Sequence, residues 1–208
     1  SAAPTSADAT ITIQNGHTVT VNSSVTADQT IVAAGGTLSI NGGIGTSLSL
    51  SNGIGTDLTV NGTLLVSAGT LTGDGLIDIN SGGTFTWAGG IIRGSVTTNV
   101  NAGSTFSINT GSHQLDDTHV INNYTTCNWT AGDIAFNNAA GPATFNNHAI
   151  LNITSGVSIT NPWFGNAVIN NLASGTINKS GGTTFIYAVF SNAGIINVCY
   201  CLEHPELP

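Results

Sequence analysis

The feature that most constrains the fold is an internal repeat with a period of about 20 residues, the length typical of one coil of a solenoid. An apolar residue followed by Asn recurs along nearly the whole chain. The copies are Val21-Asn22, Ile40-Asn41, Val60-Asn61, Ile79-Asn80, Val100-Asn101, Ile121-Asn122, Phe145-Asn146, Ile169-Asn170 and the weaker Phe190-Ser191-Asn192. A repeat of this kind predicts that each period forms one structural unit stacked on the next.

The residues before each repeated Asn alternate between apolar and polar, as in a strand with one buried face. Small residues follow the Asn in most copies and mark corners. Two further strands follow in each period, seen at Phe85-Thr86-Trp87 and Ile91-Ile92. The sequence therefore predicts an all-β, single-stranded, right-handed parallel β-helix with about nine coils, each of roughly 19–24 residues and three short strands.

The predicted β-helix covers residues 10–198, between an N-terminal tail (1–9) and a C-terminal tail (199–208). Like side chains are expected to stack on like from coil to coil. One predicted buried column holds Trp87, Ile108, Trp129 and Ile153, and a second beside it holds Phe85, Phe106, Cys127 and Leu151. Cys127 is accordingly expected to be an inert core residue.

Charged residues make up only 6% of the chain, against about 25% in average proteins. The only two cations are Arg93 and Lys179, and the net charge is −8. This composition argues against nucleic-acid binding and against docking on anionic lipid, both of which need basic clusters. No apolar run reaches the roughly 20 residues of a membrane span, so no membrane insertion is predicted.

The first residues, 1–6, resemble a mature end left after export. Near absence of Lys and Glu also suits an extracellular β protein. The predicted location is therefore secreted, extracellular or at the cell surface.

Two segments resemble elements of a known class. Residues 84–90 (TFTWAGG) are similar to a repeat element of β-helical modules in very large bacterial surface proteins, and residues 190–198 (FSNAGIINV) are similar to a second one. These modules are similar to passengers of autotransporter and filamentous-haemagglutinin-type adhesins. The resemblance implies an exported β-solenoid with an adhesive or structural role, and it implies no catalytic residues.

Carbohydrate chemistry is the main alternative, because polysaccharide hydrolases and lyases also use this fold. Asp57, Asp74 and Asp78 fall in neighbouring coils, and Asp57 and Asp78 are expected to point outward. Asp116-Asp117 is a second acidic position that could supply paired carboxylates. Neither of these two acidic groups has a Lys or Arg nearby in the sequence. The preferred interpretation is therefore that these carboxylates are solvated surface groups. No catalytic residue, metal ligand or cofactor is predicted, and the chain is expected not to be an enzyme.

A candidate surface-binding face is formed by outward residues of three successive coils. Its members are Thr18, Thr20, Thr37, Ser39, Asp57 and Thr59. Ice-binding solenoids carry such Thr-x-Thr-like arrays, so ice binding is a further alternative. Another alternative is a carbohydrate-binding module. Its exposed Thr and Asn side chains would then contact a host or cell-surface glycan.

Self-association is predicted through the ends of the solenoid. Parallel β-helices end in exposed strand edges, and such edges pair with other chains. Residues 10–13 and 195–198 are uncharged and rich in β-branched residues. Cys199 and Cys201 are candidate intermolecular contacts. The predicted function is thus an extracellular structural or adhesive β-solenoid module, in one form a head-to-tail self-assembling fibre subunit.

Overall fold

The computed structural model describes residues 10–136, 141–161 and 167–199, and every regular element in these ranges is a β-strand. The first eleven strands are β1 (Ile11–Ile13), β2 (Thr18–Val21), β3 (Val25–Ala27), β4 (Thr30–Val32), β5 (Thr37–Ile40), β6 (Ser47–Leu50), β7 (Leu58–Val60), β8 (Thr63–Val66), β9 (Thr70–Ile79), β10 (Thr84–Trp87) and β11 (Gly90–Ile92). The others are β12 (Ser95–Val100), β13 (Thr105–Ile108), β14 (His113–Leu115), β15 (Val120–Asn123), β16 (Thr126–Trp129), β17 (Ile134–Ala135), β18 (Thr144–Asn147), β19 (Ile150–Ile153), β20 (Ile159–Thr160), β21 (Val168–Asn171), β22 (Thr176–Lys179), β23 (Val189–Asn192) and β24 (Ile195–Val198).

These strands stack in parallel as three faces of a β-solenoid. Sheet A contains β1, β4, β7, the second half of β9, β12, β15, β18, β21 and β23. Sheet B contains β2, β5, β8, β10, β13, β16, β19, β22 and β24. Sheet C contains β3, β6, the first half of β9, β11, β14, β17 and β20. The strands complete about eight turns, and β23 and β24 begin a ninth. The predicted fold class is therefore confirmed.

Strand β9 differs from the others because its ten residues run through a corner without a break. Its first half pairs in sheet C and its second half in sheet A. Sheets A and C consequently form one 15-stranded hydrogen-bonded network, whereas the nine strands of sheet B form a separate sheet.

The core is a set of columns of inward side chains, and the two predicted columns are confirmed. Trp87 pairs with Ile108, Ile108 with Trp129, and Trp129 with Ile153. The parallel column joins Phe85, Phe106, Cys127 and Leu151 in the same order, and all eight side chains are buried. The Phe85 and Phe106 rings stack with centroids 4.9 Å apart. Burial raises the pKa of the Cys127 thiol, which keeps it protonated and unreactive.

The predicted repeat changes strand along the chain, so its register is wrong at two places. Val21 and Ile40 lie in sheet B, whereas Val60 and Ile79 lie in sheet A. Later, Val100 pairs with Asn123 rather than with Ile121, which is a shift of two positions along the strand. Each strand alternates in the same way, and a shift of two positions keeps every side chain on its face. The apolar-Asn pattern therefore fits several strands equally well.

Candidate surface-binding site

An unbroken column of threonines runs along the outward face of sheet B. Pairing joins Thr18 to Thr37, Thr37 to Thr63, Thr63 to Thr84, and Thr84 to Thr105. The pairing of β13 with β16 places Thr126 next. Ile150, Thr176 and Ile195 complete the column over the last three coils. Six consecutive coils thus carry Thr at one position.

A second outward column lies two positions further along each strand of sheet B. Its members, from the first coil to the last, are Thr20, Ser39, Leu65, Thr86, Ser107, Asn128, Asn152, Asn178 and Asn197. The Ser107 hydroxyl donates to that of Thr86 at 3.3 Å. Neither column contains a charged residue, so the face is neutral from end to end.

The structure places the first two coils of the predicted face side by side in sheet B and the third coil elsewhere. Thr18 and Thr20 are exposed and Thr37 is partly exposed, whereas Ser39 is buried although it lies in the outward column. Thr59 belongs to β7 in sheet A, where it pairs with Asp78. Thr63 and Leu65 are the true successors of Thr37 and Ser39. The prediction failed because the step along the chain from Thr37 to Thr63 is longer than the period of the apolar-Asn repeat.

Asp57 is not an outward residue, which corrects a second expectation. Its side chain is fully buried and accepts hydrogen bonds from the backbone N–H groups of Gly53 and Leu76, each at 2.7 Å. A Cβ at Gly75 would lie 2.1 Å from the Asp57 carboxylate, so this corner needs a glycine. Asp57 therefore stabilises the corner before β7, and both of its carboxylate oxygens accept hydrogen bonds from the backbone.

The geometry of the sheet B face is regular in two directions. Neighbouring coils are spaced by about 4.8 Å, and alternate residues of one strand by about 6.6 Å. Thr is branched at Cβ, so its χ1 is restricted and its methyl and hydroxyl groups are held in place. Binding such a row to a repeating surface therefore requires little additional ordering of side chains.

The other two faces of the same molecule provide an internal comparison. Thr is favoured on any exposed strand, so a general preference would populate all three sheets. The corresponding outward column of sheet A reads Thr12, Ile31, Thr59, Asp78, Asn99, Asn122, Asn146, Asn170, Ser191. A column of sheet C reads Ser47, Thr70, Ile91, Gln114, Ala135, Thr160. The accumulation of Thr is specific to sheet B.

Asparagine ladders include four of the nine repeated Asn residues (Asn122, Asn146, Asn170 and Asn192), and the Asn80 amide also donates to Asn61 at 3.0 Å. On sheet A, the side-chain amide of Asn170 donates to Asn146, Asn146 to Asn122, and so on to Asp78, over 2.8–3.0 Å. A second ladder, on sheet B, joins Asn197, Asn178, Asn152 and Asn128. A third lies at the corner between these sheets and joins Asn123, Asn147, Asn171 and Asn192, of which the first three are buried. These amides fix the coils to one another.

A local signal for the sheet B register exists, although the apolar-Asn repeat concealed it. Gly directly precedes the outward column residue in five coils, at Gly36, Gly62, Gly83, Gly175 and Gly194. A Cβ at each of these glycines would approach a backbone oxygen of the neighbouring coil to 2.2–2.6 Å. The chain passes too close to its neighbour for a side chain there. Gly-Thr followed by an apolar residue therefore marks the start of four sheet B strands, and the same pattern at Gly69-Thr70-Leu71 begins the sheet C half of β9.

Asp78 and Asp117, two of the other acidic residues considered for carbohydrate chemistry, serve as hydrogen-bond acceptors. Asp78 accepts from the Thr56 hydroxyl at 2.8 Å and from the Asn99 amide at 3.0 Å. Asp117 accepts from the Gly94 N–H at 3.1 Å. In the described ranges, no group of three or more His, Cys, Asp or Glu residues could hold a metal ion, and no helix is long and apolar enough to cross a membrane.

The predicted intermolecular cysteines are only partly described. Cys199 follows β24, is exposed and forms no disulfide with any described residue. Cys201 and both predicted tails, apart from Cys199, lie outside the described residues.

Fold and site together define the chain as a parallel β-solenoid with an uncharged sheet B face that carries Thr at one position over six coils. Comparison with protein-family models, with curated proteins and with solved structures gives no match.

Proposed function

We propose that the chain is an extracellular binding module that adheres to an ordered, uncharged surface through sheet B, and that this surface is ice. The unbroken Thr column from Thr18 to Thr126 carries the proposal. Ice is a two-dimensional array of donors and acceptors with repeats of a few ångströms, and the Thr face is a rigid array on the same scale. Threonine methyl groups contribute the apolar part of such a contact and hydroxyl groups the polar part.

Ice affinity tests the proposal directly. Thr84→Lys with Thr105→Lys places two charges in the middle of the column, and the expected result is that partition into a growing ice front and thermal hysteresis both fall to background. The matched control is Thr59→Lys with Thr97→Lys, which changes the same residue type on the outward face of sheet A. It should retain the activity of the unmodified chain. Exclusion of the unmodified chain from ice, or equal loss in the control, would refute the proposal.

A second candidate function, a head-to-tail fibre, is favoured by the open ends of the solenoid. The last coil leaves Phe190, Ile196 and Val198 exposed, although they lie in inward columns. The first coil leaves Val19 exposed beside an apolar cavity of about 260 Å³. If β24 of one copy paired with β2 of the next in the register of sheet B, Ile196 would lie next to Val19. This pairing would extend the inward apolar column and both outward columns of sheet B into the second copy.

A further inference from the structure

Two aromatic side chains lie on the outward face of the solenoid, on the sheet C side of the eighth coil. Phe185 is 55% exposed and Tyr187 is 61% exposed, whereas Ile186 between them pairs with the buried Ile159. The ring centroids are 6.1 Å apart and the ring planes differ by 23°. The two rings therefore lie roughly parallel to each other and form one exposed apolar strip.

The backbone holds this strip rigidly. The N–H of Ile159 donates to the carbonyl of Phe185 at 2.8 Å, and the N–H of Tyr187 donates to the carbonyl of Ile159 at 3.0 Å. The Phe185 N–H also donates to the Ser158 hydroxyl at 3.3 Å. The side chains accordingly project from a strand-like segment fixed on both sides of Ile186.

The fold gives no reason for large apolar side chains at these two positions. In the coil before, the same columns hold Ser158 and Thr160, and one coil earlier Asp133 and Ala135. Small or polar side chains are thus sufficient on this face. Phe and Tyr side chains stabilise a fold mainly when their rings are buried. The rings of Phe185 and Tyr187 are more than half exposed, so they contribute little of this stabilisation.

Polar groups flank the strip on the side of the preceding coils. Asp133 is exposed, and its Oδ1 atom accepts from the Ser158 N–H at 2.7 Å. Ser158 lies between this carboxylate and Phe185 in one column, and Thr160 lies next to Tyr187 in the neighbouring column. These columns hold no Lys or Arg from the fifth coil to the eighth, and the chain carries a net charge of −8.

We propose that Phe185 and Tyr187 are the stacking platform of a binding site for a neutral glycan. The C–H-rich face of a pyranose ring would lie on the exposed surface of these two rings, since apolar C–H groups pack well on a π face. Hydroxyl groups at the edge of the sugar would donate to the Asp133 carboxylate and exchange hydrogen bonds with Ser158 and Thr160. Uronic acids are disfavoured because their carboxylates would approach Asp133 without a compensating cation.

The same columns continue toward the first coils and give the glycan a direction. Beyond Asp133 they contain Ser112 and then Gly89 and Ala68, which line a surface groove of about 260 Å³ together with Thr70 and Ile91. A polysaccharide stacked on the two rings can therefore run parallel to the solenoid axis. This site lies on a different sheet from the Thr column, so it is independent of the proposed ice binding.

The test is binding of the 208-residue chain to microcrystalline cellulose, chitin, xylan, mannan and curdlan, with polygalacturonate as the anionic probe. At least one neutral glycan should retain the unmodified chain. Phe185→Ala with Tyr187→Ala should weaken that binding by roughly tenfold or more, whereas Tyr187→Phe, which keeps the ring, should stay within about twofold. The exposed rings are not part of the core, so the melting temperature should not change.

Tyr124→Ala is the matched control, because Tyr124 is also an exposed aromatic residue and stacks on His148 with centroids 4.3 Å apart. It should bind glycans like the unmodified chain. Three outcomes would overturn the proposal: no retention on any neutral glycan, equal loss in the Tyr124 variant, or unchanged binding in the double variant. A double variant that becomes more monomeric without any change in glycan retention would instead assign the rings to a contact between copies. Thermal hysteresis should be the same in all variants.

Discussion

A buried histidine shows how single residues depart from what their type suggests. His119 is completely buried, and its Nε2 atom lies 2.9 Å from the Thr98 hydroxyl. Its Nδ1 atom lies 3.4 Å from the Arg93 carbonyl oxygen. A neutral ring satisfies both contacts if Nδ1–H donates to the carbonyl and Nε2 accepts from the hydroxyl. Burial lowers the pKa of His119 to about 4, which keeps the ring neutral in the folded chain.

Acid should therefore destabilise the solenoid through His119. The unfolded histidine titrates near 6.5, so between pH 6.5 and 4 the unfolded chain binds more protons than the folded one. The stabilisation is complete above about pH 6.5 and is lost as the pH falls toward 4. Between pH 7 and pH 5 the loss attributable to this residue should be roughly 2 kcal/mol. Urea denaturation at both pH values measures it.

Two substitutions separate this effect from general acid sensitivity. His119→Gln removes the titrating group, so the difference in unfolding free energy between pH 7 and pH 5 should shrink by that amount. His17→Gln changes an exposed histidine and should leave the difference as it is. Burial also lowers the pKa of His113, so part of the acid effect persists in both variants. An unchanged difference in the His119 variant would contradict the prediction.

At the scale of elements, the asparagine ladders differ in burial although their members are adjacent in sequence. Asn147 is completely buried, accepts from the Asn123 amide at 2.8 Å and donates to Asn171 at 2.8 Å. Asn146, on the opposite face of β18, makes equivalent bonds to Asn122 and Asn170 but remains partly exposed. Water can replace the lost partners of an exposed amide and not those of a buried one.

Replacing each Asn by Ala should therefore give unequal losses of stability. Asn147→Ala removes one buried acceptor of the Asn123 amide and the buried donor to the Asn171 Oδ1 atom, and we expect a cost of about 2–4 kcal/mol. Asn146→Ala should cost about 1 kcal/mol or less. Equilibrium denaturation of the two variants measures the difference. Equal costs would show that the ladders contribute by packing rather than by satisfying buried groups.

The two core columns and the third strand were predictable because apolar alternation and large aromatic residues fix which face is buried. The assignment of strands to sheets was not predictable from the apolar-Asn repeat, since a shift of two positions leaves that alternation intact. Longer corners also lengthen the step from β5 to β8, where Thr37 pairs with Thr63. The burial of Asp57 could not be predicted from the sequence for a different reason. Its partners are backbone N–H groups, and no side chain in the sequence indicates them.

At the scale of the whole molecule, the open ends lead to a test of self-assembly. The apolar columns of the last coil would continue those of the first coil of a second copy, and no charged residue lies in β1, β2, β23 or β24. Under oxidising conditions, with residues 1–9 and 200–208 intact, the average mass in light scattering should rise with protein concentration. The physical reason is that the outer edges of β1, β2, β23 and β24 pair with no other described strand and lie beside exposed apolar side chains.

Ile196→Lys should suppress this assembly, because it places a charge in the inward column of the last coil. Ile150→Lys is the control, because Ile150 points outward in the middle of sheet B and is similarly exposed. It should assemble like the unmodified chain. A monomer at the highest concentration would end the fibre proposal.

The ladders also bear on how such a chain can evolve. Asn122, Asn146 and Asn170 are separated by 24 residues at each step, as are Asn123, Asn147 and Asn171. A segment of that length begins and ends with the same hydrogen-bonding groups on both ladders. Duplication or loss of one such segment in this region would therefore change the number of coils and leave every remaining amide opposite its partner. The length of the binding faces is thus a property that a single recombination event can alter.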